Sequence, residues 1–78
     1  DRKFIRITAV NSPGLITNVT NYLTENRIKV KTINVKNNPT KKQVLLELYL
    51  KFSPDQDATD LTMGIQQIDG ILTIENVG

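Results

Sequence analysis

The sequence predicts an α+β fold in which a four-stranded antiparallel sheet carries both helices on one face. Three observations lead there. Val44, Leu46, Leu48, Leu50 and Phe52 recur at every second position, the period of a half-buried strand. Leu15, Val19 and Leu23 recur at helical spacing behind a Ser-Pro-Gly break. Turn chemistry then divides the chain into six segments in the order βαββαβ.

Each element has its own signal. From Phe4 to Val10, Ile5, Ile7 and Ala9 alternate with Arg6 and Thr8, which reads as the first strand. Asn11-Ser12-Pro13-Gly14 breaks it, with Ser12 suited to an N-cap and Pro13 to the first helical position. The first helix then carries Leu15, Ile16, Val19, Tyr22 and Leu23 at apolar spacing and fades at Glu25-Asn26. A second strand is expected from about Arg27 to Lys36. Its alternation slips by one between Val30 and Ile33, so a bulge is expected near Lys31-Thr32.

Asn37-Asn38-Pro39-Thr40 is a turn, and the strictly alternating third strand follows. Ser53-Pro54 is expected to restart a helix with Ala58, Leu61, Ile65 and Ile68 as its buried stripe. Asp55, Asp57 and Asp60 favour its positive end. Gly70 closes it, and Ile71 to Val77 forms the last strand. Two right-handed crossovers in this order give the ferredoxin-like arrangement.

Composition narrows the function. Seventy-eight residues make one domain, residues 1–78, with marginal stability of its own. A start at Asp1, with pattern beginning at once, suggests a piece from the C-terminal end of a larger protein. The net charge of +2 is too near balance for a nucleic-acid binder, so no nucleic-acid partner is expected. No apolar run nears the ~20 residues of a membrane span, so no insertion by this segment is expected. The absence of His and Cys removes the common bases and thiol nucleophiles, so no catalytic residue, metal ligand or cofactor is expected.

Asn11-Ser12-Pro13-Gly14-Leu15-Ile16, then Val19 and Leu23, then Asn26-Arg27-Ile28-Lys29-Val30, resembles the pattern of ACT domains. That pattern runs from a first strand through (Asp or Asn)-x-Pro-Gly-Leu and a helix to an apolar second strand. Ile68-Asp69-Gly70-Ile71, with Ile74 beyond, is similar to the family's last helix end and final strand. The resemblance implies a non-catalytic regulatory domain that binds a small effector, dimerises, or does both. Leu50-Lys51-Phe52-Ser53-Pro54 and Gly70-Ile71-Leu72-Thr73-Ile74-Glu75 resemble the soluble tail of MgtC/SapB-type magnesium-linked membrane proteins. The ACT domain of (p)ppGpp synthetases and that of amino-acid biosynthetic enzymes are the other implied hosts, and a cytoplasmic location follows from any of them.

The turn after the first strand is the expected ligand site. Gly14 admits close approach to the backbone, and the following helix offers unpaired N–H groups to an anion. By the resemblance, Asn11, Ser12, Pro13, Gly14, Leu15 and Ile16 bind an amino acid or other small anion, with Ile28 and Val30 of a paired subunit on the far side. The plain alternative is a tight strand-to-helix turn in a structural dimerisation module.

Other features read as structural. Lys29, Lys31, Lys36, Lys41 and Lys42, half of the ten basic residues, suit a sheet edge protected by charge as well as an anionic surface. The acidic trio lacks the rest of a calcium loop and serves the helix end instead. Met63, Tyr22 and Tyr49 read as packing residues. Acylphosphatases share the element order but need an arginine in the first loop, which is absent here. RNA-recognition motifs need aromatics centred on the first and third strands, and Tyr49 alone is poor cover. Leu45 and Tyr49 lie on the face opposite Leu46 and Leu48, and this apolar area points to a homodimer.

Overall fold

The computed structural model describes every residue from Asp1 to Gly78. Its elements are β1 (Arg2–Val10), α1 (Leu15–Glu25), β2 (Lys29–Asn38), β3 (Gln43–Lys51), α2 (Ala58–Gln66) and β4 (Ile71–Asn76). The strands lie in the order β2-β3-β1-β4, and each neighbouring pair is antiparallel. This is the ferredoxin-like sheet that the element order predicts.

The two central strands set the register. Ile5, Ile7 and Ala9 of β1 stand opposite Leu48, Leu46 and Val44 of β3. Because side chains alternate between faces, all six point to one side, and all six are buried. Leu15, Val19 and Leu23 of α1 and Ile65 of α2 cover them, with Tyr22, Ala58, Leu61 and Ile68 packed around. The fourteen buried residues are all apolar, and no buried side-chain polar atom lacks a partner. Truncating fully enclosed Leu46 or Leu48 to Ala therefore costs about 2–5 kcal/mol, since the cavity adds to the lost transfer energy.

The helix starts differ from the sequence reading. Ser12 does not cap α1, and Pro13 is not helical. Gly14 holds the cap position in the left-handed region, φ 81°, and no side chain bonds to the first turn. Ser12 contributes its carbonyl to the turn instead, accepting from the Leu15 N–H at 3.3 Å. Ile16 belongs to the outer side of α1 and is 38% exposed.

Ser53 and Pro54 likewise lie in a turn, and α2 begins only at Ala58. Asp57 is its cap, its carboxylate accepting from Thr59 N–H at 2.9 Å and Asp60 N–H at 3.2 Å. Asp60 sits in the first turn, as dipole stabilisation favours, whereas Asp55 lies outside the helix. In both cases the proline lies in the loop before the helix and not at its first position.

The expected slip in β2 is present, a register shift between Val30 and Thr32 that leaves Lys31 unpaired. The strand begins at Lys29 rather than Arg27, whose φ of 59° belongs to the turn. β2 is an edge strand and all ten of its residues are exposed. Val30, Ile33 and Val35 stand opposite Leu50, Leu48 and Leu46, so they face the helix side without being covered. A second irregularity leaves Leu72 extra between Thr73, opposite Thr8, and Ile71, opposite Ala9.

Candidate effector site

The Asn11–Gly14 turn is held from two sides. Asn11 N–H donates to the Lys42 carbonyl at 3.0 Å, and its side-chain amide donates to Asn37 Oδ1 at 3.3 Å. These bonds tie the turn to the β2–β3 hairpin. On the other side Val10 N–H donates to the Gly70 carbonyl at 2.8 Å. A side chain added at Gly70, where φ is 93°, would meet Leu15 and Ser12, so the loop before β4 packs directly against the turn.

The turn opens onto a hollow of about 110 Å³ walled by Asn11, Ser12, Gly14, Leu15, Ile16, Thr17 and Val44. A Cβ at Gly14 would touch nothing within 4 Å, so the backbone there is open to an approaching group. No protein group accepts from the N–H of Ile16 or Thr17, and the first turn holds no acidic residue. Free amides beside a helix N-terminus form a seat for negative charge. The volume is well below the ~300 Å³ at which pockets usually enclose a small molecule.

Of the other expected site residues, Pro13 is exposed beside this hollow. Ile28 is buried in the core at 4% exposure and presents no surface. Val30 is exposed at the far end of β2 from Asn37, the residue bonded to Asn11. Within a single chain, then, neither Ile28 nor Val30 reaches the turn's hollow.

The opposite sheet face is richer in charge. Arg6 bonds Glu47 at 3.4 Å and Glu75 at 3.1 Å, and Lys36 meets Glu47 at 3.2 Å. The Lys36 hydrogen bond, with Arg6 adding, holds the Glu47 carboxyl below its ordinary range against an opposing push from desolvation. Phe4 stacks on Tyr49, ring centres 4.3 Å apart, so this face carries an aromatic pair where sequence reading counted Tyr49 alone. At one end Arg2, Lys51 and Lys29 stand side by side across three strands, with no acidic partner.

The pattern of the ACT domain family matches residues 4–75. The chain belongs to the ACT domain family. Comparison with curated proteins gives no match. Among solved structures, the ACT domain of GTP pyrophosphokinase from Chlorobium tepidum superposes with a TM-score of 0.80 at 17% identity, covering 97% of this chain and 96% of that one. A formyltetrahydrofolate deformylase from Pseudomonas putida gives 0.83 at 17% identity, covering 100% of this chain but only 29% of its own. The C-terminal domain of the MgtC protein from Mycobacterium tuberculosis gives 0.69 at 14% identity, covering 97% and 84%. At such identities the likeness speaks to fold alone.

Within this ACT domain, Tyr22 is a packing residue as expected, half-buried with its hydroxyl donating to the Leu61 carbonyl at 2.8 Å. Met63 is not, being 63% exposed on the outer side of α2. Sequence reasoning also passed over Lys3. It shares the odd-numbered face of β1 with Ile5, Ile7 and Ala9, and that parity alone places a cation on the helix side of the sheet. No helix is long and apolar enough to cross a membrane.

Proposed function

We propose that this ACT domain is a non-catalytic regulatory module that pairs with a second copy along β2 and holds a small anionic effector at the Asn11–Ile16 turn. The observation that carries the reading is the incomplete hollow, with two free amides and no wall on its outer side. Antiparallel pairing of β2 with itself across a two-fold axis sets the Val30 end of one copy against the Asn37 end of the other. Val30 of the partner then supplies the apolar wall that the isolated turn lacks. Val30, Ile33 and Val35, all more than a third exposed, are the surface such a contact covers.

The attached protein is read as an MgtC/SapB-type membrane protein, with this domain on its cytoplasmic side. Support comes from Leu50–Pro54, which ends β3 and enters the turn before α2, and from Gly70–Glu75, which opens β4. A (p)ppGpp synthetase or an amino-acid biosynthetic enzyme is the next host. The gene sequence upstream of Asp1 discriminates, since the first reading requires apolar spans there.

Two measurements test the module itself. Sedimentation equilibrium at about 20 μM should give a dimer, and Ile33→Lys should give a folded monomer. A thermal-shift screen with amino acids, other small carboxylates and nucleotides at about 1 mM should raise the melting point by mass action. A dimer with no thermal shift leaves only a structural pairing role. A monomer that binds nothing ends the proposal.

A further inference from the structure

A larger hollow than the one at the turn lies elsewhere in the molecule. It is a groove of about 360 Å³ between α2 and β4, at the low end of the ~300–1,000 Å³ range typical of small-molecule sites. Its apolar lining is Ala58, Ile74 and the largely exposed Met63. Lys3 is the only charged residue that lines it.

Lys3 is out of place there on structural grounds. It stands on a central strand, opposite Leu50, on the face whose other β1 residues are fully buried. It is half-buried and makes no ion pair. The neighbouring acids are committed elsewhere. Asp57 caps α2, and Glu75 bonds Arg6 on the opposite face of the sheet. No carboxylate lines the groove, while the side-chain amides of Gln66 and Asn76 do so with no protein partner.

We infer that this groove binds a small amphipathic monoanion, a carboxylate bearing a short hydrocarbon chain, with the carboxylate on Lys3 and the chain on Ala58, Met63 and Ile74. Charge selects the ligand class: a cation and free amide donors face the groove without a competing acid. The apolar lining selects against a bare inorganic anion, which would gain nothing from it. The site lies beside β4, at the sheet edge opposite β2, so the pairing proposed above does not cover it.

The test is an NMR titration of the 78-residue chain, followed at its single methionine methyl and at the backbone amides of Lys3, Thr59 and Ile74. The probes are butanoate, hexanoate, hexanol and hexylamine, each to about 20 mM, which reaches the weak end of measurable affinity. Hexanoate should shift these signals, and affinity should rise about two- to fourfold per added methylene. Hexylamine should leave them still. Lys3→Gln should weaken hexanoate about tenfold with the amide spectrum otherwise preserved, and Lys3→Arg should restore it. Equal shifts from hexanol and hexanoate, shifts confined to the Asn11–Ile16 turn, or no shift at all would each overturn the assignment.

Discussion

The Tyr22 hydroxyl occupies the space that a side chain at Gly64 would need, so α1 and α2 approach each other across a position that has no Cβ. The same hydroxyl donates to the Leu61 carbonyl at 2.8 Å, one turn before Gly64. A helix-interior glycine normally costs about 1 kcal/mol relative to alanine, and here the contact explains why it is present.

Gly64→Ala should destabilise the domain by about 1–2 kcal/mol, because overpacking outweighs the gain in helix propensity. In a Tyr22→Leu background, which lacks the ring tip, the same change should become neutral or stabilising. Denaturant midpoints of the four proteins measure the coupling. Two additive effects would show that the contact does not govern the position.

Burial pushes the Tyr22 phenol above its ordinary value near 10. The folded state therefore holds the proton more tightly than the unfolded chain does. That contribution is complete below about pH 10 and is lost as pH rises through the folded value. A phenolate also cannot donate to Leu61. Stability should fall more steeply above about pH 10 in the native chain than in Tyr22→Phe, and parallel pH profiles would refute this.

Glu47 behaves in the opposite sense. Its carboxyl is held low by Lys36 first and Arg6 after, so its contribution is present above the ordinary carboxylate range. It is lost as pH falls through the folded-state value. Lys36→Ala should bring the Glu47 titration back up, read from its side-chain carboxyl carbon by NMR. An unchanged curve would mean that Arg6 alone sets it.

Lys51 stands between Arg2 and Lys29, each directly opposite it on a neighbouring strand. Like charges so placed are unfavourable, and opposite charges contribute roughly 0.2–1 kcal/mol per pair. Lys51→Glu should therefore raise the melting temperature by several degrees, up to about 8 °C. The gain should shrink at about 1 M salt, where the Debye length is ~3 Å. A gain that persists undiminished in salt would point to a cause other than charge.

Much of the fold was readable because the central strands leave little choice. Strict alternation from Val44 to Phe52 fixes both the strand and its buried face, and the broken alternation around Lys31 fixes the bulge. The helix starts were less readable. Pro13 and Pro54 suit a first helical turn but also suit the loop before it, and only backbone geometry shows that Gly14 and Asp57 are the caps. The lysines of β2 signalled a sheet edge, but the exposure of its apolar residues was not readable. Val30, Ile33 and Val35 carry a buried strand's composition, and being at an edge is a property of the sheet order. At the turn, residues 11 to 16 fall together because they are contiguous, whereas placing Val30 there depends on a second chain. Lys3 had a signal in its parity with Ile5, a cation on a face that is otherwise apolar along β1.

Asp1 exchanges backbone hydrogen bonds with Phe52, and Phe4 does so with Val77 and Gly78, which puts both chain ends at one pole. The Asn11 turn is at the other, beyond the last residue of β1. The rod between them is nine residues of paired, inextensible strand, about 30 Å long at ~3.4 Å per residue. Anything tethered at the termini accordingly sits a full strand's length from the turn, joined to it by a strand that is hydrogen-bonded along both of its edges.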